Sequence, residues 1–255
     1  RQRFKRVNFL PHPLYMNSHG LGTTGANGSL VQKSAKRGTW QLQIGSKIFT
    51  HLPPRLPELI QGMKRRAQTI GSKDAGVFIT RLGIGPGDVV LEAGLGSAGQ
   101  SMHLARIMGA SGHLITVEPR EEHSKVGLEN LETLARAITE FPKHSHVHGM
   151  IESSIEEIES ISKEFDAILL DLPEHTTAIK SVAHLLKIGA RLSCYCPVSS
   201  QLEQAWIACE ESGLEVEWAG EVIEREWGKA SKGGVRPVNG PFGHTAFLLI
   251  AQRKN

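Results

Sequence analysis

The run Val89-Val90-Leu91-Glu92-Ala93-Gly94-Leu95-Gly96-Ser97-Ala98-Gly99 constrains this chain more than any other segment. A short apolar stretch ends abruptly in glycines spaced Gly-x-Gly-x-x-Gly, and a helical pattern then resumes to about Met108. An apolar run of that length, bounded by turn residues, reads as a buried strand. Strand, tight turn and helix in that order make a βα unit, which belongs in a parallel sheet covered on both faces. Glycines at the junction permit the turn and let backbone approach a ligand.

The alternation continues downstream. Lys73 to Leu82 reads as a helix and Gly85-Pro86-Gly87-Asp88 as a turn. Strands are expected over His113–Glu118, Val147–Met150, Phe165–Leu172 and Ala190–Val198. Helices are expected over Glu121–Ile138, Thr177–Leu186 and Gln201–Ser212. Glu215–Glu226 and Thr245–Gln252 are strand-like but have no helix between them. The Gly/Pro-rich stretch Gly233–Gly243 joins them, so they are expected to form a hairpin. The predicted fold class is α/β: a Rossmann-like sheet closed by a C-terminal antiparallel hairpin, the layout of class I methyltransferases.

Charge divides the chain unevenly. Arg1 to Ile70 holds 12 Lys and Arg against one acid, Glu58, whereas the rest holds 17 against 25. A basic segment on an acidic domain is what a polyanion-binding extension looks like; a solvated basic face is the alternative. Residues 1–57 are expected to be a small basic β or irregular region and 58–255 the α/β domain. Gln41 to Thr50 alternates weakly, as a short strand would. Glu58 to Gln68 reads as a helix ending in Lys64-Arg65-Arg66. No stretch approaches the roughly 18 apolar residues of a membrane helix. Cys194 and Cys196 would face the same way on a strand and read as core thiols, Cys209 stands alone, and with no metal or redox motif among them a reduced, cytoplasmic protein is expected. An organelle origin would look similar.

Glu92 bears on what the glycine loop binds. A dinucleotide would bring a pyrophosphate to this loop, where a nearby carboxylate repels it. S-adenosylmethionine carries an ammonium and a sulfonium and no phosphate, so the acid suits it. Dinucleotide binding and a ligand-free turn stay open on these residues alone. Glu118, ending the next strand, is placed to accept from ribose hydroxyls with either cofactor. Phe165–Leu172 is a strongly apolar strand followed by Pro173, and ligands in open parallel sheets bind at the carboxyl ends of strands. Asp171 is therefore the candidate catalytic residue, a turn or helix-capping role being its alternative. Facing an adenine, its carboxylate could steady the positive charge that builds when N1 is methylated.

With these pieces in place, the chain resembles the tRNA (adenine-N1)-methyltransferases that act on the T-loop. The similarity runs from about Arg66 to the C-terminus. It rests on Gln68-Thr69-Ile70 with Lys73-Asp74-Ala75, on the loop Leu91 to Gly99, and on Asp171-Leu172-Pro173. It continues in Tyr195-Cys196-Pro197 with Gln201, then Glu224-Arg225-Glu226-Trp227, Arg236-Pro237 and Gly243-His244-Thr245-Ala246-Phe247-Leu248. The resemblance implies S-adenosyl-L-methionine held by Glu92, Gly94, Gly96, Ser97, Ala98, Gly99, Gln100, Glu118, His123, Gly149, Met150 and Asp171. It implies a tRNA substrate, methylated at position 58, with Lys64, Arg65, Arg66, Arg236 and His244 as candidate contacts, and a homo-oligomer, a tetramer. Ala98 stands where the family usually has Gly. Methylation of another substrate, an NAD-dependent oxidoreductase and a non-catalytic tRNA-binding subunit are the competing readings.

His144, His146 and His148 alternate and would share one face of a strand; a surface or phosphate-facing patch is expected there rather than a metal site. His175, four residues after Asp171, is placed either lining the site or on a loop surface.

Overall fold

The structure is a computed structural model. It describes residues 53–231, 233–238 and 243–255 in full, and strand backbone alone at 16–17, 20–21, 28–33, 40–44 and 47–51. The chain divides into two compact units, Arg1–Gly62 and Met63–Asn255. Among the described residues no helix is long and apolar enough to cross a membrane.

In the first unit β1 (Met16–Asn17) pairs with β2 (Gly20–Leu21), and β3 (Gly28–Lys33), β4 (Trp40–Ile44) and β5 (Lys47–His51) form an antiparallel sheet in that order. The single strand expected over Gln41–Thr50 is thus two. Helix α1 (Leu56–Gly62) follows. It ends before Lys64-Arg65-Arg66, which the sequence pattern had placed inside a helix reaching Gln68. Gly62 is a ready helix stop.

The second unit runs α2 (Ser72–Leu82), β6 (Val89–Ala93), α3 (Gly99–Met108), β7 (His113–Glu118), α4 (Glu121–Ala137), β8 (Lys143–His148), α5 (Ile155–Ile161), β9 (Phe165–Leu170), α6 (Thr176–Val182), β10 (Leu186–Cys196), α7 (Ser199–Glu211), β11 (Leu214–Gly220), β12 (Trp227–Lys229), β13 (Val235–Pro237) and β14 (Phe247–Arg253). Its seven-stranded sheet has the order β11-β14-β10-β9-β6-β7-β8. The strands from β10 to β8 are parallel, and β14 inserts antiparallel between β10 and β11. The expected hairpin is therefore present, but its link carries a ribbon of its own, β12–β13. The third parallel strand lies earlier than Val147–Met150, because its polar histidines hid its period. The sequence pattern gave no sign of α5.

Both faces of the central strands are packed. Leu91, Ile115, Ile168, Leu170, Leu192 and Cys194 lie in one buried cluster with Ile158, Ile179 and Ala205 from the helices. Apolar burial on this scale drives the assembly. Cys194, Cys196 and Cys209 are buried free thiols, which meets the expectation for Cys194 and Cys196 and adds Cys209 to the core.

Strand β6 is the topological pivot. From it the chain adds β7 and β8 on one side, then crosses to add β9 and β10 on the other. The crevice this leaves at the carboxyl ends of β6 and β9 is where ligands bind in such sheets. There the two strand ends touch. The Asp171 N–H donates to the Ala93 carbonyl at 2.9 Å. A Cβ added at Gly94, whose φ is +95°, would lie 2.1 Å from the Asp171 carbonyl oxygen. We expect Gly94→Ala to destabilise the fold by at least about 2 kcal/mol, since both left-handed backbone and a backbone clash oppose it. A drop in denaturant midpoint would register this; an unchanged midpoint would show that the two strand ends are not held so closely.

Candidate active site

The glycine loop is held by its neighbour strand. Gly94 and Leu95 donate to the Val117 carbonyl at 2.9 and 3.3 Å, and Gly96 N–H donates to Glu118 Oε2 at 3.0 Å. Gly96 and Ala98 have φ of +51° and +65°, and Ala98 is the one non-glycine with positive φ among the described residues. An alanine there costs about 1–2 kcal/mol. Its methyl is fully buried, which offsets part of that cost.

Three acids converge on this loop. Glu118 is fully buried. Besides Gly96 it accepts from Arg120, at 3.2 Å from the backbone N–H, 2.8 Å from Nε and 3.3 Å from Nη2. Burial raises the Glu118 pKa, but these donors prevail and hold it below the usual carboxylate value. Glu92 is 3% exposed; burial, with the neighbouring Asp171 adding to it, pushes its pKa up to about 8. Asp171 is raised to about 7, by burial first and then by Glu118, against the opposing pull of Arg120. Asp171 therefore senses both Glu118 and the Arg120 guanidinium.

Several buried polar atoms around the loop have no hydrogen-bond partner: Glu92 Oε2, both amide atoms of Gln100, and Nδ1 of His123 in the first turn of α4. Orphaned polar groups in a fold are costly and call for an explanation. A polar, cationic ligand lying on the loop supplies one, so the residues present fit S-adenosylmethionine. Gly149 joins the same rim, its N–H donating to the Glu118 carbonyl at 3.3 Å, and Met150 beside it is 54% exposed.

The segment after Met63 lies over the loop. Ser97 Oγ accepts from the N–H groups of Arg66 and Ala67 at 2.9 and 3.0 Å. Asn130, on α4, accepts from Lys64 N–H at 3.0 Å and donates to the carbonyls of Lys64 and Ser97 at 2.8 and 2.9 Å. Glycine is required beneath this segment, because a Cβ at Gly99 would lie 2.7 Å from Thr69 Cβ and 3.1 Å from the Ile70 carbonyl. Lys64, Arg65 and Arg66 are exposed, with Lys64 Nζ 2.7 Å from Glu129. The structure thus brings the basic cluster to the loop. Ser97, expected at the cofactor, spends its hydroxyl on fastening that cluster.

On the β9–β10 side, Tyr195 is buried beside Asp171 and Asp74. Burial, then those two acids, push its phenol up to about 12. Asp74 is buried and pairs with Lys73 at 2.7 Å; Lys73 also donates to Thr245 Oγ1 at 2.9 Å and to the Val222 carbonyl. His175 is buried, not on a loop surface, and burial lowers its pKa, so it is a neutral ring beside the Leu170 and Tyr195 backbone. Gln201 donates to the Pro173 carbonyl at 2.9 Å, bracing the loop after Asp171. His244 is likewise a brace: its ring nitrogens contact Glu221 Oε2 at 2.8 Å and the Pro197 carbonyl at 3.0 Å. Both partners are acceptors, and the Glu221 carboxylate first, then that carbonyl, raise its pKa. Arg236 sits on the β12–β13 ribbon, which pairs only with itself. The sequence reading assigned no role to Arg120, Asn130 or Asp74; their chemistry is visible only once β7, α4 and α2 are placed.

Of the alternating histidines, His148 is exposed as a surface patch would have it, whereas His144 and His146 are half-buried. His144 and His146 both contact the hydroxyl of fully buried Thr116, at 2.9 and 3.0 Å, and His146 also contacts Ser124 on α4. Burial lowers both, His144 to about 4, so they are neutral packing groups. Among the described residues no group of His, Cys, Asp or Glu is placed to hold a metal ion.

Residues 48–232 match the family described as the tRNA methyltransferase complex GCD14 subunit. The chain belongs to this family. Among similar curated proteins is the tRNA (adenine(58)-N(1))-methyltransferase TrmI of Thermus thermophilus, 32% identical, covering 85% of this chain and 81% of that protein. Another is the tRNA (adenine(57)-N(1)/adenine(58)-N(1))-methyltransferase TrmI of Methanocaldococcus jannaschii, 29% identical over 80% of this chain and 78% of that one. Of solved structures, a SAM-dependent O-methyltransferase from Thermotoga maritima has a TM-score of 0.70 at 26% identity, covering 84% of this chain and 77% of its own. The tRNA (m1A58) methyltransferase TrmI of Aquifex aeolicus has a TM-score of 0.66 at 20% identity, covering 83% and 88%, and shares the fold. The class I methyltransferase sheet and the family resemblance read from the sequence both hold.

Glu92 gives a test independent of any substrate. Its pKa in the fold is about 8 against 4.5 ordinarily, so between those pH values the native state holds a proton that the unfolded chain has released. Stability therefore falls as pH rises through that window. Glu92→Gln should raise Tm by several degrees at pH 8, the gain shrinking steadily towards pH 5. A gain independent of pH would show that Glu92 does not ionise at cost inside the fold.

Proposed function

We propose that this chain transfers the methyl group of S-adenosyl-L-methionine to N1 of an adenine in tRNA, at the T-loop position 58. The observation that carries the reading is the convergence of Glu92, Glu118 and Asp171 on one glycine loop. A pyrophosphate would meet the ionised Glu118 and oppose ionisation of Glu92 and Asp171, whereas an ammonium and a sulfonium are attracted to Glu118 and favour the ionised form of the other two. This disfavours the dinucleotide oxidoreductase considered from sequence.

S-adenosylmethionine supplies the methyl group already activated on a positive sulfur. The backbone of Gly94, Gly96, Ala98 and Gly99 lets it approach, with Gln100 and His123 offering buried donors and acceptors. Glu118 accepts from the ribose hydroxyls, and Gly149 and Met150 flank the adenine end. Adenine N1 uses its own lone pair, so Asp171 need not remove a proton before attack. As the base gains positive charge, the Asp171 carboxylate stabilises it and accepts from the exocyclic amino group. N1 is hidden in a base pair, so the target base must be unpaired or extruded.

Lys64, Arg65 and Arg66 sit beside this site and are read as phosphate contacts. Residues 1–57 are read as a basic appendage to a methyltransferase domain that begins near residue 58, and Arg236 as a second contact from the ribbon. His244 acts on substrate only through the β10 end that it braces. A homo-oligomer, a tetramer, is carried over from the family resemblance. The exposed Trp227, Val235 and Val238 of the ribbon give it apolar surface to bury.

Incubation with unmodified tRNA and labelled S-adenosylmethionine, followed by nucleoside analysis, should place label in 1-methyladenosine. Asp171→Ala should cut the rate by about 10²–10³, the loss typical of a group aimed at transition-state charge. With an Asp171 pKa of about 7 in the free protein, kcat/KM should fall by about tenfold per unit below that pH, as the carboxylate is lost. Donor binding without labelled nucleoside would point to another substrate or a missing subunit. Absence of donor binding would overturn the reading.

A further inference from the structure

Among the described residues, Arg120 lays a guanidinium directly on an acid of the site. It follows β7 directly, caps the start of α4, and lays its Nε and Nη2 on the two oxygens of Glu118 at 2.8 and 3.3 Å. The arginine side chain is 54% exposed while the glutamate is fully buried. One member of this pair is therefore free to swing into solvent and the other is not. The fixed member keeps two backbone donors, from Gly96 and from Arg120 itself, whatever the guanidinium does. The pair thus looks like a replaceable cover on a fixed acceptor, not a structural staple.

The cover sits where the proposed cofactor must bond. A ribose diol needs the same two carboxylate oxygens, since a carboxylate accepts through both and each hydroxyl donates one proton. Guanidinium and diol compete for one acceptor. Once displaced, the guanidinium stays charged, because arginine does not deprotonate in this range. It is then a cation without a hydrogen-bonded partner on the rim that holds Asp171, with Glu122 also near it, and a phosphate of the substrate strand is the partner whose fork geometry it matches best.

We propose that Arg120 closes Glu118 in the free protein and transfers to a tRNA phosphate when the methyl donor takes its place, so that donor and tRNA each favour the other's binding. This rests on the methyltransferase reading above. Linkage makes the coupling reciprocal: whatever factor tRNA adds to donor affinity, the donor adds to tRNA affinity. It also separates Arg120 from Lys64, Arg65 and Arg66, which would contact tRNA with or without donor. The same exchange gives product a route out, since departure of methylated tRNA returns the guanidinium to compete with S-adenosylhomocysteine.

The test measures binding of S-adenosylmethionine and S-adenosylhomocysteine to the full chain by calorimetry, with and without an unmodified tRNA transcript, for wild type, Arg120→Ala and Arg120→Lys. Without tRNA, Arg120→Ala should bind both cofactors more tightly by about two- to fivefold, the factor of a half-exposed ion pair. Saturating tRNA should give the wild type a similar gain and Arg120→Ala none. Arg120→Lys, which keeps the charge but not the fork, should fall between them. Weaker cofactor binding in Arg120→Ala, or an equal gain from tRNA in both proteins, would overturn the proposal and leave the methyltransferase reading intact. Failure of the wild type to bind either cofactor would overturn both.

Discussion

The structure turns on the contact between Gly94 and Asp171. The sheet reverses its order of growth at β6, and the ends of β6 and β9 meet at that reversal. A hydrogen bond from Asp171 to Ala93 and a glycine with no room for a Cβ lock the two strand ends together. The loop that would carry the cofactor and the residue that would face the methyl group are thus consecutive parts of one backbone contact. Their relative position does not depend on a flexible side chain. Preorganisation of this kind is what electrostatic catalysis requires, because charge placed in advance need not rearrange during the reaction.

From this contact the rest of the site is built outwards by side chains that brace backbone. Asn130 and Ser97 fasten residues 64–67 over the loop. Gln201 holds the carbonyl of Pro173, and His244 holds that of Pro197. Lys73 joins the start of α2 to the segments before β14 and after β11. Ser97 and His244, which read as cofactor and substrate contacts in the motifs, each use their side chains for such bracing. A polar residue in a sequence signature can serve position as readily as chemistry, and only its hydrogen-bond partners tell which.

The parallel core was legible in the sequence because its strands are short, apolar and bounded by glycine or acid; β6 and β7 fall on the expected residues. Strand β8 was harder. Val147 is its single buried apolar side chain, while His144 and His146 bond Thr116 from the other face, so hydrophobic period could not mark it. The fate of Lys64-Arg65-Arg66 was also hidden. Their helix-compatible composition is overruled by side chains more than 30 residues away in the chain. In the site, Glu92, Glu118 and Asp171 could be read from their places at strand ends. Arg120 could not, because its meaning lies in the geometry of its fork against Glu118, and Asn130 could not, because it sits mid-helix.

Three acids around one loop are a poor way to stabilise a fold. Glu92 and Asp171 are both raised, chiefly by burial, and each meets a neighbouring carboxylate that raises it further. Removing that repulsion would cost function, because the same field attracts a cationic ligand. The protein relieves it in part without giving it up. It leaves some of the acid protonated near neutral pH, and it supplies one internal cation, Arg120, on an exposed and reversible side chain. A buried lysine would have neutralised the site more completely and competed with any cationic cofactor permanently. An arginine on the rim balances the free protein and can leave. Stability is thereby withheld from the empty fold and returned when a cation occupies the loop, so that ligand binding and folding draw on the same electrostatic energy.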